Sequence, residues 1–149
     1  MSEVPYVKPD VSLYGADHVA QYEATDGAVG YLWNDATCLI LTTTGEKTGK
    51  ERKYALICGF DGDDCVVVAS YAGAPEHPQW YRNLVAHPEV TVQVRAERFP
   101  AVAHTAQGTE RDRLWKLMTD VWPNYDVYTT RTTREIPVVV LRRTSTSGA

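Results

Sequence analysis

The stretch from Leu39 to Phe60, LILTTTGEKTGKERKYALICGF, constrains the fold of this chain more than any other. Two apolar runs rich in β-branched residues flank a short loop that contains two glycines, a pattern that predicts a β-hairpin. The loop and the start of its second strand carry four cations and two carboxylates: Lys47, Lys50, Arg52, Lys53, Glu46 and Glu51. The hairpin tip therefore has a surplus of two positive charges in a chain whose net charge is −4.

Two interpretations of this tip stay open. Backbone N–H groups next to glycines, hydroxyls and clustered cations suit a phosphate or a polyanionic tail. The alternative is a solvated hairpin tip without a ligand. A Walker A loop is excluded, because the pattern that begins at Gly45 is one residue too short and has Glu51 where a magnesium-binding Ser or Thr belongs.

Length and composition favour one soluble globular domain over residues 1–149. The negative net charge argues against a nucleic-acid partner, which needs a wide basic surface. Cys38, Cys58 and Cys65 lack C-x-x-C spacing, so we expect free thiols in a reducing cytoplasm. The first fifteen residues lack the apolar core of a signal peptide, and no apolar run is long enough for an integral membrane segment.

Hydrophobic periodicity predicts about six mostly antiparallel strands and three helices, without βαβ alternation. The expected fold class is therefore α+β, with a sheet or small barrel and helices packed outside. We expect an N-terminal arm over residues 1–14, a core over 36–141 and a disordered tail over 142–149. The predicted elements include a strand over 53–60, a helix with Thr109 as its N-cap and a last strand over 136–141.

Three segments together resemble the deazaflavin-dependent nitroreductases, an actinobacterial family of F420-dependent oxidoreductases. They are LTTTGEKTGKER, VVVASYAGAPEHPQWYRNLVAHPEVTVQV and VWPNYDVYTTRTTREIPVVVL. The resemblance spans about residues 36–141 and implies a split β-barrel related to the flavin-binding barrels, often dimeric. It also implies coenzyme F420, an 8-hydroxy-5-deazaflavin, as cofactor, with hydride transfer to a quinone, an enone or a nitro compound.

By resemblance, the phosphate and tail of the cofactor meet the hairpin, and its ring meets the strand and loop that follow. The cofactor-binding residues implied in this way are Thr44, Lys47, Thr48, Gly49, Arg52, Val68, Ala69, Ser70, Tyr71, Ala72, Gly73, Trp80 and Asn83. Small residues in the loop would let the backbone approach a flat ring. Two alternatives without a ligand remain: the loop is a flexible strand end, and Trp80 is an aromatic residue of the core.

The resemblance places the acceptor at an aromatic cluster whose members are three residues apart: Trp122, Tyr125 and Tyr128. Phenols at Tyr125 and Tyr128 would hydrogen-bond the acceptor and support its developing negative charge, and we assign them the catalytic role. Trp122 and Ile57 stand where the family carries tyrosines, which puts nitro-compound reduction in doubt. The alternative is an aromatic patch that packs on the barrel.

Several other functions compete with this hypothesis. One is an FMN-dependent barrel of the pyridoxamine-phosphate-oxidase type. The single phosphate of FMN needs fewer cations than the four that the hairpin carries, which favours F420. Another is a non-catalytic F420-binding or storage protein. A third is a quinone reductase with peripheral contact to the membrane, which the acidic N-terminus disfavours. The expected partner is a small electrophilic acceptor, with a homodimer as a further expectation and no metal.

Overall fold

The computed structural model describes residues 6–144, which form one antiparallel sheet with helices on its outside. The strands are β1 (Leu32–Trp33), β2 (Ala36–Thr44), β3 (Glu51–Ile57), β4 (Gly59–Asp61), β5 (Asp64–Val68), β6 (Glu89–Val94), β7 (Glu97–Thr105) and β8 (Val138–Arg143). The helices are α1 (Gly15–Thr25), α2 (Gln79–Ala86), α3 (Gly108–Val121) and α4 (Asn124–Tyr128), with a 3₁₀ turn at Tyr71–Gly73.

The sheet has the strand order β1-β2-β6-β7-β8-β5-β4, and β3 pairs with β2. The predicted central hairpin is present, with β2 and β3 paired from Cys38 opposite Ile57 to Thr44 opposite Glu51. Side chains from β2, β5, β6, β7 and β8 meet in one interior cluster, so the sheet closes around a core. Trp80 and Leu84 of α2 enter that same cluster.

Helices cover the other face of the sheet, which explains why the central strands are buried on both sides. Val19 and Tyr22 of α1 pack on Cys38 and Ile40 of β2. Helices α3 and α4 pack on the outer residues of β5 and β8. In strands the side chains alternate between faces, so one apolar run supplies both the interior and the helix-covered surface.

The predicted strand over residues 53–60 is wrong as a single element. Its first part, β3, pairs with β2, and the chain then changes partner so that β4 pairs with β5. Gly59 stands at the change and lies against α3, where an added Cβ would come within 2.5 Å of the Leu117 side chain. The Asp-Gly hairpin after it forms as expected, with Asp61 opposite Asp64.

Several predicted ends also differ from the structure. Helix α3 begins at Gly108, so Thr109 lies inside it and Gln107 occupies the N-cap without a side-chain hydrogen bond. Residues 124–128 form a fourth α-helix. Strand β8 continues to Arg143, so the expected disordered tail does not begin at residue 142. The rest of that tail from residue 145 on, and residues 1–5 of the arm, lie outside the described residues.

Candidate active site

A cleft of about 240 Å³ lies between the hairpin loop and the first turns of α2. Its lining residues are Gly45, Glu46, Lys47, Thr48, Arg52, Gln79 and Asn83. We call this the hairpin cleft. It brings together four of the predicted cofactor-binding residues, Lys47, Thr48, Arg52 and Asn83, from three separate elements.

The loop of the hairpin is closed by its own backbone. The Gly45 N–H donates to the carbonyl of Lys50 at 2.8 Å, and the Gly49 N–H donates back to the carbonyl of Gly45 at 3.0 Å. Gly49 adopts φ +69°, a left-handed conformation that disfavours side chains with a Cβ. Gly49 and the half-buried Thr44 shape this turn but are not among the residues that line the cleft.

Asn83 fixes the loop to the body of the protein. Its side chain is fully buried, and its Oδ1 accepts the N–H of Glu46 at 3.1 Å and the amide of Gln79 at 2.9 Å. Its Nδ2 donates to the hydroxyl of Thr43 at 3.0 Å. The Asn83 side chain therefore lies at the base of the hairpin cleft and fixes the position of the loop that lines it.

The two cations that line the cleft are available to a ligand. Lys47 and Arg52 are exposed and form no ion pair within residues 6–144. Lys53, one residue further along β3, differs because its ammonium binds Glu23 at 2.7 Å. The single acid of the cleft, Glu46, is held by the side-chain amide of Gln79 at 3.2 Å. The cleft thus offers unpaired positive charge to an anion.

The predicted ring site, residues 68–73, comprises the last residue of β5 and most of the loop over residues 69–74, which leads from β5 towards α2. Tyr71 and Ala72 adopt φ +47° and +52°, a left-handed conformation uncommon for residues with a Cβ. The Tyr71 side chain is 57% exposed, whereas Val68 and Ala69 are buried in the core. Any contact that Val68 or Ala69 makes with a ring would therefore come from their backbone.

The same loop rests on the end of α4. A Cβ added to Gly73 would come within 2.8 Å of the carbonyl oxygen of Tyr128 and within 2.7 Å of the Arg131 Cβ. Only a residue without a Cβ can lie this close to Tyr128 and Arg131. The predicted ring site and the predicted acceptor site are therefore in direct contact.

Arg134 is a residue of this site that sequence reasoning missed. Its guanidinium donates to the backbone carbonyls of Ala69, Ser70 and Ala74 at 3.1, 2.7 and 2.9 Å. It lies about sixty residues away in sequence, and an arginine before an apolar strand is common. No local pattern could have revealed this contact.

Trp80 belongs to the interior cluster and is 6% exposed. It packs with Leu84 under the hairpin, and it is not among the residues that line the hairpin cleft. The structure therefore favours the core role that the sequence had left open beside the site role.

The predicted acceptor residues form one apolar cluster on the outer face of the sheet. Trp122, Tyr125 and Tyr128 are 8%, 4% and 6% exposed, and Ile57 packs against them. The indole N–H of Trp122 donates to the hydroxyl oxygen of Tyr128 at 3.4 Å, which leaves that hydroxyl's own proton free to donate. Burial raises the pKa of Tyr125 well above its ordinary value, so this phenol stays protonated at neutral pH.

The described part of the N-terminal arm covers this cluster. Val7 exchanges two hydrogen bonds with the side chain of Asn124 on α4, at 3.0 and 2.7 Å. The Tyr6 ring lies 6.4 Å from the Tyr128 ring, and the Arg131 guanidinium lies 4.5 Å from the centre of the Tyr6 ring. The described part of the arm is thus docked over the predicted acceptor residues.

A larger cleft, of about 420 Å³, lies between the loop after α1 and Arg95. Its charged groups are already engaged: Arg95 lies over the Tyr31 ring at 4.3 Å, and Asp26 lies 3.7 Å from Arg98. We therefore place the candidate site at the hairpin cleft despite its smaller volume. Within residues 6–144, no group of three or more potential ligands could hold a metal, and no helix is long and apolar enough to span a bilayer.

Comparison with known proteins identifies relatives across most of the chain. A F420H(2)-dependent quinone reductase of Mycobacterium tuberculosis (strain ATCC 25618 / H37Rv) is 42% identical over 130 residues, which make up 85% of this chain and 87% of that protein. A solved structure described as F420-H2 dependent reductase FDR-A is 39% identical with a TM-score of 0.67, and the match covers 70% of this chain and 93% of that one.

A second solved structure, described as a domain-swapped dimer, is 35% identical with a TM-score of 0.70 over 85% of this chain and 92% of that one. These likenesses confirm the predicted split β-barrel with helices outside. Residues 15–143 match the family described as F420H(2)-dependent quinone reductase. The chain therefore belongs to the F420H(2)-dependent quinone reductase family.

Proposed function

We propose that this chain is an F420-dependent reductase that passes a hydride from the reduced deazaflavin to a quinone. The observation that carries the proposal is the hairpin cleft, in which Lys47 and Arg52 stand exposed and unpaired beside a loop held by the buried Asn83. Family membership supplies the reaction, and the cleft supplies a place for the anionic part of the cofactor.

The residues of the cleft fit such a cofactor. Its phosphate and acidic tail need cations and hydroxyl donors, and Lys47 and Arg52 offer charge that no ion pair among the described residues takes up. The Thr48 hydroxyl accepts the N–H of Lys50 at 3.2 Å and keeps its own proton to donate. A short stretch of chain, residues 75–78, separates the 69–74 loop from Gln79 of the cleft, which supports a path between the proposed ring and tail sites. A molecule with a charged tail and a flat ring would follow this path.

When bound, the reduced cofactor supplies the hydride. The chain's own contribution is to bind, to orient and to exclude water. Lys47 and Arg52 would bind the tail, and the backbone of the 69–74 loop would orient the edge of the ring. Gly73 permits this loop to lie directly on α4, which keeps the ring side and the acceptor side adjacent.

Tyr125 and Tyr128 hold protons where the acceptor would gain negative charge. Both phenols lie in a largely water-free cluster, where a hydrogen bond to a developing oxyanion is stronger than in water. The raised pKa of Tyr125 suits a donor and argues against a role as a base. Trp122 and Ile57 add apolar surface without hydroxyls, so we favour a flat quinone over enones and nitro compounds.

The experiment that tests the proposal is a pair of fluorescence titrations of the purified protein, one with F420 and one with FMN. We expect salt-sensitive binding of F420 and weaker binding of FMN. Arg52→Glu should weaken F420 binding by about 30-fold, since it replaces an attraction of about 1 kcal/mol with a repulsion of similar size. Preference for FMN would overturn the cofactor assignment.

Lys50→Glu is the matched control for this charge reversal. Lys50 lies in the same loop and is exposed, but it does not line the cleft. We expect Lys50→Glu to change F420 affinity by less than Arg52→Glu does, and only at low salt. Equal effects of the two variants would mean that general loop charge, rather than the cleft, attracts the cofactor.

A second candidate function is an F420 carrier that does not turn over. The observation in its favour is the burial of Tyr125 and Tyr128 under the N-terminal arm, which closes the acceptor side. Stopped-flow oxidation of the bound reduced cofactor by a soluble quinone separates the two functions. Oxidation faster than that of the free cofactor supports the reductase, and slower oxidation supports the carrier.

We also propose that the chain works as a homodimer in a reducing cytoplasm. Strand β3 pairs only with β2 among the described strands, and its residues Tyr54 to Ile57 are half-buried, so its free edge could join a second copy. The relative described as a domain-swapped dimer supports this assembly. The three buried free thiols suit a reducing compartment. Sedimentation velocity over a range of concentrations measures the assembly.

A further inference from the structure

The 69–74 loop holds a conformation that its own sequence does not favour. Ser70 is in the right-handed region, and Tyr71 and Ala72 follow at φ +47° and +52°. Two successive residues with a Cβ in the left-handed region persist only where the surrounding structure over-determines them. Something outside the loop must therefore hold it.

Arg131 donates to the Ala72 carbonyl at 3.4 Å, and Arg134 makes three shorter contacts with the loop from outside. Nη1 and Nη2 of Arg134 donate to the carbonyls of Ala69 and Ser70, on the near side of the left-handed pair, and its Nε donates to the carbonyl of Ala74 on the far side. One rigid guanidinium thus joins both ends of the turn. A single ammonium group could make only part of these contacts.

The fourth contact of this guanidinium adds a titratable partner. Nη1 of Arg134 lies 3.2 Å from Nδ1 of His77. Because an arginine nitrogen can only donate, Nδ1 must accept, and the proton of the neutral ring must be on Nε2. Protonation of His77 would remove the acceptor and place two cations in contact.

The groups around His77 favour its neutral form. Arg134 faces it from the segment before β8, and Arg82 on α2 donates to its backbone carbonyl at 3.1 Å. The ring of Tyr81 on α2 lies at a tilt of 55° to the His77 ring, with 4.9 Å between the ring centres, and the neighbouring Glu76 lies 3.6 Å from Arg82. Burial, then Arg134 and Arg82, lower the pKa of His77 below its ordinary value of 6.5.

We propose that Arg134 is a positioning residue that keeps the 69–74 loop in its left-handed shape, and that protonation of His77 releases this hold. The consequence for cofactor binding rests on the proposed function, because it requires that the loop meets the ring. The effect on the conformation of the loop does not depend on the proposed function. The two are therefore measured separately.

Amide hydrogen exchange without cofactor, expressed as protection factors for residues 69–77, tests the hold directly. At pH 8 we expect Arg134→Met to lower protection at least tenfold there, with partial rescue by Arg134→Lys. Arg142→Met, at an exposed position of β8, is the control and should change nothing in this segment. Equal protection in the Arg134→Met and Arg142→Met proteins would overturn the proposal.

The pH dependence distinguishes this role from general stabilisation. In the wild-type protein, protection of residues 69–77 should fall as the pH drops from 6.5 through the lower folded pKa of His77. His77→Asn places a non-titrating acceptor near the position of Nδ1, so its protection should stay constant over the same range. A pH response that persists in His77→Asn would overturn the role of His77.

F420 titrations of the same variants then link the loop to the cofactor. Arg134→Met should weaken affinity about tenfold without changing the salt dependence, because the tail contacts remain. If the wild-type protein binds no F420 while Arg134→Met still loses loop protection, the proposed function fails and the positioning role stands. If F420 binds equally well to the wild type and Arg134→Met, the link to the ring fails.

Discussion

Asn83 shows how much of the hairpin cleft depends on one buried amide. Its oxygen and nitrogen satisfy groups on the hairpin loop, on β2 and on α2 at the same time. A residue of this kind does not need to touch a ligand to be essential for binding. It fixes the position of the backbone that does.

Asn83→Ala is therefore expected to lower the free energy of unfolding by about 2–3 kcal/mol, because it leaves the Glu46 N–H unpaired and removes the donor to the Thr43 hydroxyl, which keeps only its own bond to the Arg52 carbonyl. Urea unfolding followed by fluorescence measures the loss. Gln79→Ala is the control, since Gln79 is exposed and its removal should cost about 0.5 kcal/mol or less. Similar losses in the two variants would contradict the anchoring role.

Replacing Tyr128 tests the proposed acceptor site by removing a single oxygen atom. Tyr128→Phe should lower kcat/KM for a quinone by about 100-fold, the usual cost of losing one preorganised donor, while F420 affinity stays unchanged. Tyr125→Phe should behave similarly. Tyr14→Phe, at a position 66% exposed, is the control. Parallel loss of turnover and F420 affinity would instead place the phenols in the cofactor site.

At the scale of elements, the contact between the 69–74 loop and α4 depends on one glycine. Gly73→Ala must place a Cβ at φ +81° and against the carbonyl of Tyr128, whereas Gly62→Ala meets only the unfavourable φ of +63° and open space. We expect Gly62→Ala to cost about 1 kcal/mol. Gly73→Ala should cost about 1–3 kcal/mol more, because the close approach adds a clash.

Denaturant unfolding of both glycine variants in parallel measures this difference. The same samples, titrated with F420, should show a loss of affinity only for Gly73→Ala. If the two variants were equally stable, the loop and α4 would be less tightly packed than the structure indicates.

The elements that sequence predicted well are those with a strong local signal. The alternation of Val90 to Val94, the Asp61-Gly62 turn and the loop of the central hairpin all formed where expected. The strand break at Cys58 was not predictable, because the apolar run continues through it and only tertiary pairing separates β3 from β4. The contacts of Asn83 and Arg134 were also invisible, since each joins segments far apart in sequence.

At the scale of the whole molecule, the sheet is so thoroughly covered that all three thiols are buried. Burial raises the pKa of Cys38 to about 12 and that of Cys65 to about 11, and it raises the pKa of Cys58 well above its ordinary value. A thiol that is both inaccessible and protonated is a poor nucleophile. The thiols therefore belong to the core and not to the chemistry.

Ellman's reagent at pH 8 is expected to modify none of the three thiols in the native protein and all three in guanidinium chloride. Turnover measured after the native incubation should be unchanged. Rapid modification of one thiol in the native state would show that a core strand opens readily. The site of modification, found by mass spectrometry, would identify which strand.

The pair formed by Trp33 and Trp122 has a practical consequence. The two indole rings lie 5.6 Å apart at the aromatic cluster, and Trp122 also donates to Tyr128. Quinones accept electrons from excited indoles on close approach and so extinguish their emission. The proposed acceptor site thus contains its own optical reporter, and quenching in a Trp80→Phe background would follow the arrival of a quinone without any label.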